Sequence, residues 1–416
     1  MKIGIIETNL SLKTGGGSHI HLHLFASELA RLGHEVTVIT LDPLLNAYPD
    51  NLPYSVIGED PISNRFDRGY RLLLQKVLHK YQGQFDVYHL WQPFFLLGGG
   101  LYRRLGGKVP VVANLIAFWF CPNWILIDMK CCRHCGIMQK TLHRRENLAR
   151  KALLFPFRAL ECGVANLTSN YVDAFLPVTE AMAEIYSWQH LDRDKMIVIP
   201  PPIDYQYLRR LKETSPFEPL CNGRYSILYV GRLSLEKGVD ILINAVARLD
   251  FLVSLHIVGD GPQGSELELL AKELGIEDRV IFHGWVPHEK VPDFYLSSQL
   301  FVHPARWPEV FCLSVMEAMA LGTPVIVADY GDVALELNGA ALTFKRADID
   351  DLVQKIRLVY QNPSLASVMV QKAQERVKDF DYRKAVLSLI NVYTDVIKGP
   401  TKGGQHAQGQ RNNTRL

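Results

Sequence analysis

Twice along this chain, short apolar runs alternate with stripes of helical period, and between the two series stand three consecutive prolines, Pro200, Pro201 and Pro202. A strand buried on both faces reads as a continuous apolar run, and a helix packed on a sheet shows an apolar residue every three to four positions. The alternation therefore calls for parallel sheets covered by helices. In the first series "KIGII" and "EVTVIT" read as strands, with Leu22, Phe25, Leu29 and Leu32 as the helical stripe between them. "FDVYHL" and "VPVVAN" continue it, and Phe66, Tyr70, Leu73, Leu74, Val77 and Tyr81 mark an intervening helix. In the second series "SILYVG", "VSLHIVG", "RVIFHG", "QLFVHP" and "TPVIVA" are strands, and Val239, Leu242, Val246 and Leu249 lie on one helix.

Prolines cannot donate ladder hydrogen bonds and stiffen the chain, so the run at 200–202 reads as a linker. Two doubly wound α/β domains follow, over residues 1–198 and 199–398, with "YRKAVLSLINVYTDVIK" as the last helix of the second. Residues 399–416 are rich in Gly, Gln and Asn with scarcely an apolar side chain, and are expected to be a disordered tail. A hydrophobic share of 48% over 416 residues is enough to fill two cores. A net charge of only +2 gives no overall nucleic-acid signature.

The opening "MKIGIIETNL" has its apolar run cut by Glu7 and no small-residue cleavage site, so no signal peptide is expected and the reading is cytoplasmic. Residues 109–127 hold no charge over nineteen positions, about the length of a membrane span. Pro110, Pro122, Asn114 and Asn123 interrupt them, which suits a buried parallel strand followed by an apolar loop.

Two such domains form a cleft, because open parallel sheets take ligands beyond the carboxyl ends of their strands. After the first strand, Gly15, Gly16 and Gly17 precede a helix, so backbone can approach an anion at a helix N-terminus. In the second domain Arg232 lies just past a strand end and Lys237 at the entrance of the next helix, a pair of cations suited to a diphosphate. Glu309 and Glu317 stand eight positions apart in an otherwise almost wholly apolar run. Carboxylates would be repelled by phosphate and are matched to hydroxyls, which donate to them in pairs. A nucleotide sugar offers hydroxyls on both sides of two phosphates.

"RWPEVFCLSVMEAMALGTPVIVADYGD", "YVGRLSLEKGVDILINAV", "IVGDGP", "VIFHGWVPHEKVPDFYLSS" and "GGGSHIHLHLFASELARLGHEVTVIT" together closely resemble glycosyltransferase family 4, retaining group 1 enzymes of GT-B fold, over residues 1 to about 398. The resemblance implies two Rossmann-like domains with parallel sheets facing across a cleft. It implies transfer of a sugar from a nucleoside-diphosphate sugar to a glycan or lipid-linked acceptor, in cell-surface polysaccharide, glycolipid or glycoprotein glycan synthesis. It gives Glu309 the donor-sugar hydroxyls and Glu317 the ribose, and it puts Arg232 and Lys237 on the diphosphate. Gly16 and Gly17 become the facing phosphate loop, Phe311, Cys312 and Leu313 the backbone at sugar and phosphate, and Gly231 and Gly259 part of the donor site. No metal is required for transfer in that family, and the departing phosphate is thought to help deprotonate the acceptor on the front face.

Some positions depart from the family pattern. Where many members carry a His-Asp pair, this chain has Ile116 and Ala117, so His19 and His89 become the acceptor-side candidates. Cys312 stands where Gly is frequent, and Asp332 follows Gly331 where a second Gly is common. A GT-B nucleotide-sugar epimerase and a non-catalytic glycan-binding subunit are the alternatives. A dehydrogenase is disfavoured because no G-x-G-x-x-G follows the first strand.

Four of the seven cysteines cluster in an insertion at about 116–162, namely Cys121, Cys131, Cys132 and Cys135. A C-x2-C unit with two further thiols can hold a structural zinc, or an iron-sulfur site, although the adjacent pair strains the tetrahedron. Lys130, Arg133, Lys140, Arg144, Arg145, Arg150, Lys151 and Arg158 face one acid, Glu146, directly after the aromatic stretch "AFWFCPNWILI". That composition suits either a solvated basic helix or peripheral attachment to an anionic membrane surface.

Overall fold

The computed structural model describes residues 1–12, 17–59, 69–117, 147–214, 223–307, 312–329, 337 and 339–399. Strands β1 (Lys2–Glu7), β2 (Glu35–Thr40), β3 (Ser55–Gly58), β4 (Val87–Leu90), β5 (Val111–Leu115) and β6 (Ala174–Pro177) form one sheet in the order β3-β2-β1-β4-β5-β6. Strands β7 (Tyr225–Val230), β8 (Val253–Val258), β9 (Val280–Gly284), β10 (Leu300–His303), β11 (Val325–Ala328) and β12 (Leu342–Phe344) form a second, in the order β12-β11-β10-β7-β8-β9. Every strand pairing in both sheets is parallel. Each sheet starts in its middle, winds to one edge, then returns and winds to the other. The strand order reverses between β1 and β4 in one sheet and between β7 and β10 in the other, and ligands of doubly wound sheets bind at such points.

Each sheet is covered on both faces. Ile3 and Ile5 of β1 pack with Leu22, Phe25 and Leu29 of the Gly17–Arg31 helix, while Ile6 points to the opposite face with Leu74, Leu78 and Phe95. In the second sheet Leu255 and Ile257 join one cluster and Val258 joins the other, as a period of two requires.

The sequence pattern passes over β3, β6 and β12. The first and last are edge strands whose side chains are only partly buried, and β6 is four residues ending on Pro177. Leu32, placed on the first helical stripe, lies one residue past the end of its helix and is exposed. Of the uncharged run at 109–127, residues 111–115 are β5, and no described helix is long and apolar enough to cross a membrane. Residues 118–127 lie outside the described residues, as do 400–416 of the expected tail.

The last helix, Tyr382–Lys398, follows the second sheet in sequence but packs on the first. Its Val386, Leu389, Val392 and Tyr393 share a buried cluster with Ile3, Ile5 and Leu29. Burying each such side chain stabilises the contact by roughly 1.5–3 kcal/mol. The two crossings between the sheets pair with each other: Ile203 N–H donates to the Phe380 carbonyl at 2.8 Å, and Tyr382 N–H to the Ile203 carbonyl at 3.0 Å. The carboxyl ends of β1 and β4 are thereby tied to the unit that carries β7 and β10.

Candidate functional site

After β7 the chain turns sharply through Gly231 and Arg232 into a short 3-10 turn, Leu235–Lys237, and then the Val239–Ala247 helix. Gly259, past the end of β8, has φ +132°, and a Cβ there would lie 2.0 Å from the Gly231 carbonyl oxygen. Only glycine permits that backbone contact. The turn is held from below by Glu236, a buried carboxylate that accepts from Ser234 Oγ at 2.6 Å and pairs with Arg232 at 3.5 Å. The Arg232 side chain remains largely exposed. From the loop after β10, Arg306 N–H donates to the Glu236 carbonyl at 2.8 Å, and the Arg306 guanidinium grips Asp240 with two hydrogen bonds. Lys237 Nζ lies 5.8 Å from the centre of the Trp307 ring, within cation–π range. Both cations expected on a diphosphate thus stand at the switch point on a cross-braced turn.

The Leu313–Leu321 helix follows β10 in the chain. Its N-cap is Cys312, whose own side chain makes no capping hydrogen bond, and the positive end of the helix dipole lies at this start. The Cys312 thiol is buried, 3.2 Å from Ser314 Oγ and 3.7 Å from His303 Nδ1. A Cβ built on Gly17 would meet Leu313 Cδ1 at 2.7 Å, so the start of the Gly17–Arg31 helix abuts the start of this one. Gly17, the last of the three glycines, and the second-sheet helix that the sequence places on opposite sides of a cleft are therefore brought together.

Glu317, in the second turn of the Leu313–Leu321 helix, has both carboxylate oxygens engaged. His288 Nε2 lies 2.9 Å from Oε1, and Tyr295 Oη donates to Oε2 at 3.1 Å. The Glu317 carboxylate raises the pKa of the His288 imidazole. Tyr295 is buried, whereas the His288 side chain is half exposed and covers the open side of the carboxylate. Neither partner emerges from the sequence reading, although both lie within "GWVPHEKVPDFY", which follows a strand end.

The first sheet contributes a different chemistry. Glu7, the last residue of β1, is 2% exposed; it accepts from Thr8 N–H at 2.7 Å and from Gln92 Nε2 at 2.8 Å. Burial outweighs these donors and raises its pKa to about 7. Gln92 also donates to Ser18 Oγ, and Trp91 Nε1 donates to the Ser18 carbonyl, both at 3.2 Å. The sequence reading used Glu7 only as a break in an apolar run. Its position at a strand end beside a switch point is the signal that marks it out.

The two histidine candidates separate. His19 is half-buried near the start of its helix, and its Nδ1 accepts from Ser11 N–H at 3.2 Å; burial lowers its pKa. His89 is 1% exposed, 2.6 Å from Tyr393 Oη and 2.8 Å from Asn114 Oδ1, with its pKa lowered to about 4 by burial. With both ring nitrogens engaged, it is a neutral strut between the first sheet and the last helix. Gly15, Gly16, Glu309, Phe311, Gly331, Asp332, Cys121, Cys131, Cys132 and Cys135 lie outside the described residues. Among the described residues no three His, Cys, Asp or Glu side chains are grouped to hold a metal.

Two family models match the chain, Glycosyltransferase Family 4 over residues 15–207 and Glycosyl transferases group 1 over residues 212–376. An uncharacterized glycosyltransferase of Methanocaldococcus jannaschii is 26% identical, covering 94% of this chain and 98% of its own length. A D-inositol 3-phosphate glycosyltransferase of Nocardia farcinica is 33% identical, over 78% of this chain and 72% of that protein. Among solved structures, Anabaena HepE in complex with UDP has a TM-score of 0.69 at 20% identity, covering 95% of this chain and 100% of that one. Sucrose-phosphate synthase from Thermosynechococcus elongatus has a TM-score of 0.70 at 20% identity, covering 96% and 100%.

Proposed function

The chain belongs to the group 1, family 4 glycosyltransferases, and from that premise we propose that it is a retaining enzyme that moves a sugar from a nucleoside-diphosphate sugar to a glycan or lipid-linked acceptor. The observation that carries the donor half is the start of the Leu313–Leu321 helix, where the Cys312 side chain supplies no cap and Leu313 meets Gly17. An anion held there meets, in this reading, the helix N–H groups and the two cations of the turn after β7. In this reading Arg232 and Lys237 hold the diphosphate and stabilise the charge that grows on it as the sugar departs. Glu317 takes the ribose hydroxyls and Glu309 the sugar hydroxyls, the roles the motif spacing suggests.

The acceptor hydroxyl comes from the first-sheet side, past Glu7, Gln92 and Ser18. These groups are uncharged near neutral pH apart from partial ionisation of Glu7, which suits a neutral nucleophile. Attack on the face that the diphosphate leaves, with the departing phosphate taking the proton, retains configuration. The products would be cell-surface polysaccharide, glycolipid or glycoprotein glycan, made at the cytoplasmic face of a membrane by a peripheral enzyme.

The deciding experiment incubates the protein with uridine, guanosine and adenosine diphosphate sugars, following release of the nucleoside diphosphate with and without a crude glycolipid and oligosaccharide acceptor pool. A donor is expected to raise Tm by mass action, and to be consumed faster with acceptor. Donor consumption that no acceptor accelerates, with an epimerised free sugar as product, would replace transfer by epimerisation. Absence of both stabilisation and consumption would leave a non-catalytic subunit as the better reading.

A further inference from the structure

Glu317 meets two donors that come from one short segment of chain, and they take one carboxylate oxygen each. β9 ends at Gly284, and Pro287 then opens a short 3-10 turn, His288–Lys290, that runs straight into the Val291–Leu296 helix. Val291 and Tyr295 of that helix are buried in one cluster with Val315 and Met316 of the Leu313–Leu321 helix. Thr323 Oγ1 donates to the Tyr295 carbonyl at 2.8 Å and holds its backbone. The Lys290 N–H donates to the Pro287 carbonyl at 2.9 Å and closes the turn. Packing therefore sets where Tyr295 stands, and the turn sets where His288 stands. An ionised carboxylate only accepts, and its two oxygens offer about four lone-pair directions. His288 Nε2, 2.9 Å from Oε1, and Tyr295 Oη, 3.1 Å from Oε2, use one direction on each oxygen and leave one on each. The Glu317 side chain keeps 12% exposure, so this remaining capacity is open to a ligand. The last torsion of a glutamate is broad, and donors on both oxygens are what hold the carboxylate in one plane.

We propose that His288 is a positioning residue for the nucleotide: by donating to Oε1 while Tyr295 donates to Oε2, it fixes the Glu317 carboxylate with one open acceptor on each oxygen, set for the two adjacent hydroxyls of a ribose, and so makes the site select ribose over 2′-deoxyribose. The proposal deepens the proposed function and rests on its assignment of Glu317 to the ribose. A nucleotide lacking the 2′-hydroxyl would leave one of the two acceptors unpaired once water is excluded, and sites built for a hydroxyl reject the analogue without it for that reason. With the imidazole half exposed, the pair with Glu317 adds little to stability, and the effect of His288 falls on what Glu317 can accept. His288 acts through Glu317 and need not touch the nucleotide itself.

Isothermal titration calorimetry of the full chain with uridine, guanosine and adenosine diphosphates, each beside its 2′-deoxy counterpart, gives a ratio of affinities in which base and phosphate contacts cancel. For the base it binds best, the wild type is expected to prefer the ribonucleotide by about tenfold to a hundredfold, the worth of a hydrogen bond to a charged group. His288→Ala is expected to cut that preference by more than about threefold, the lower end of couplings between neighbouring groups. Its Tm should change little, because the side chain is half exposed. His288→Gln, whose amide can donate to Oε1, is expected to restore the preference. In Glu317→Ala the preference should be gone, and adding His288→Ala should change nothing further. A wild-type ratio in His288→Ala, an equal loss in His288→Gln, or tighter binding of both nucleotides by His288→Ala at an unchanged ratio would each overturn the proposal, the last by making His288 a plug. If the preference falls in Glu317→Ala in those cases, the ribose reading survives without it. A wild-type preference kept by Glu317→Ala, or a chain that binds none of the three nucleotides, would sink that reading and the proposal together.

Discussion

The two switch points share a strand order and differ in charge. Past β7 Arg232 is largely exposed and Lys237 lies against Trp307, and past β10 a helix begins at Leu313 with no cap from the Cys312 side chain. Past β1 and β4 the groups are Gln92, Ser18, Trp91 and a carboxyl, Glu7, whose pKa burial raises to about 7. In the function proposed above, one topology prepares one end for an anion and the other for a neutral hydroxyl. The division of labour lies in the loops, while the sheets only bring those loops within reach of each other.

Removing charge from the second unit tests that contrast most severely. Lys237→Ala should cost about 2–4 kcal/mol of transition-state stabilisation, as losing one donor to a developing anion does elsewhere. Donor turnover by Lys237→Ala and Arg232→Ala, beside Glu7→Gln, checks it. If Glu7→Gln proves the more damaging change, the charges have been assigned to the wrong ends.

Glu7 should instead reveal itself through pH. Its folded value of about 7 lies above the ordinary 4.5, so the folded chain holds this proton longer than the unfolded one. Stability from this group is therefore lost as pH rises from about 4.5 through about 7. Glu7→Gln should remove that loss, gaining on the order of 3 kcal/mol relative to wild type between pH 4 and pH 8.5. Denaturant titrations at both pH values measure it, and a difference independent of pH would mean that Glu7 is ionised in the folded protein.

Backbone packing offers a smaller contrast. Gly259→Ala would push a Cβ against the Gly231 carbonyl at a positive φ and should destabilise by roughly 1–3 kcal/mol. Gly17→Ala meets only the tip of the Leu313 side chain, which can turn aside, and should cost less in Tm than Gly259→Ala. The reverse order would make the junction between the units the more rigid of the two.

The least effect is expected at His288. Its pKa is raised above 6.5 by Glu317, so the pair stabilises the fold fully below pH 6.5 and that contribution fades as pH rises through the raised value. With the imidazole half exposed, His288→Ala should lower stability by less than about 1 kcal/mol at pH 5.5 and have less effect at pH 9. Equal losses at both pH values would show a packing role without an ion pair.

Much of the site is legible in the chain because its chemistry sits immediately after strands. Arg232, Lys237, Gly17 and Leu313 can each be placed by counting from an apolar run, and the structure gathers them at the switch points. Illegible were the groups whose meaning comes from a distant partner. His288 matters through Glu317, 29 positions away, and Glu7 through Gln92, 85 positions away. His89 invited a functional reading as a histidine at a strand end, and its contact with Tyr393, 304 positions on, makes it structural.

Periodicity was enough to determine two doubly wound sheets, and strand-end glycines and the spacing of cations and carboxylates marked the candidate site, because each is a local property of the chain. Tertiary structure alone decided that the last helix completes the first core, that Glu317 is covered by His288, and that Leu153, Leu160 and Leu167 of the Leu148–Ser169 helix are exposed. The physical reason is the same in each case. An amphipathic helix carries in its sequence which face is apolar, but what that face meets depends on the surfaces available after folding. Near the end of the Leu148–Ser169 helix the backbone at Gly100 takes the contact with Thr168, and Leu167 beside it stays exposed.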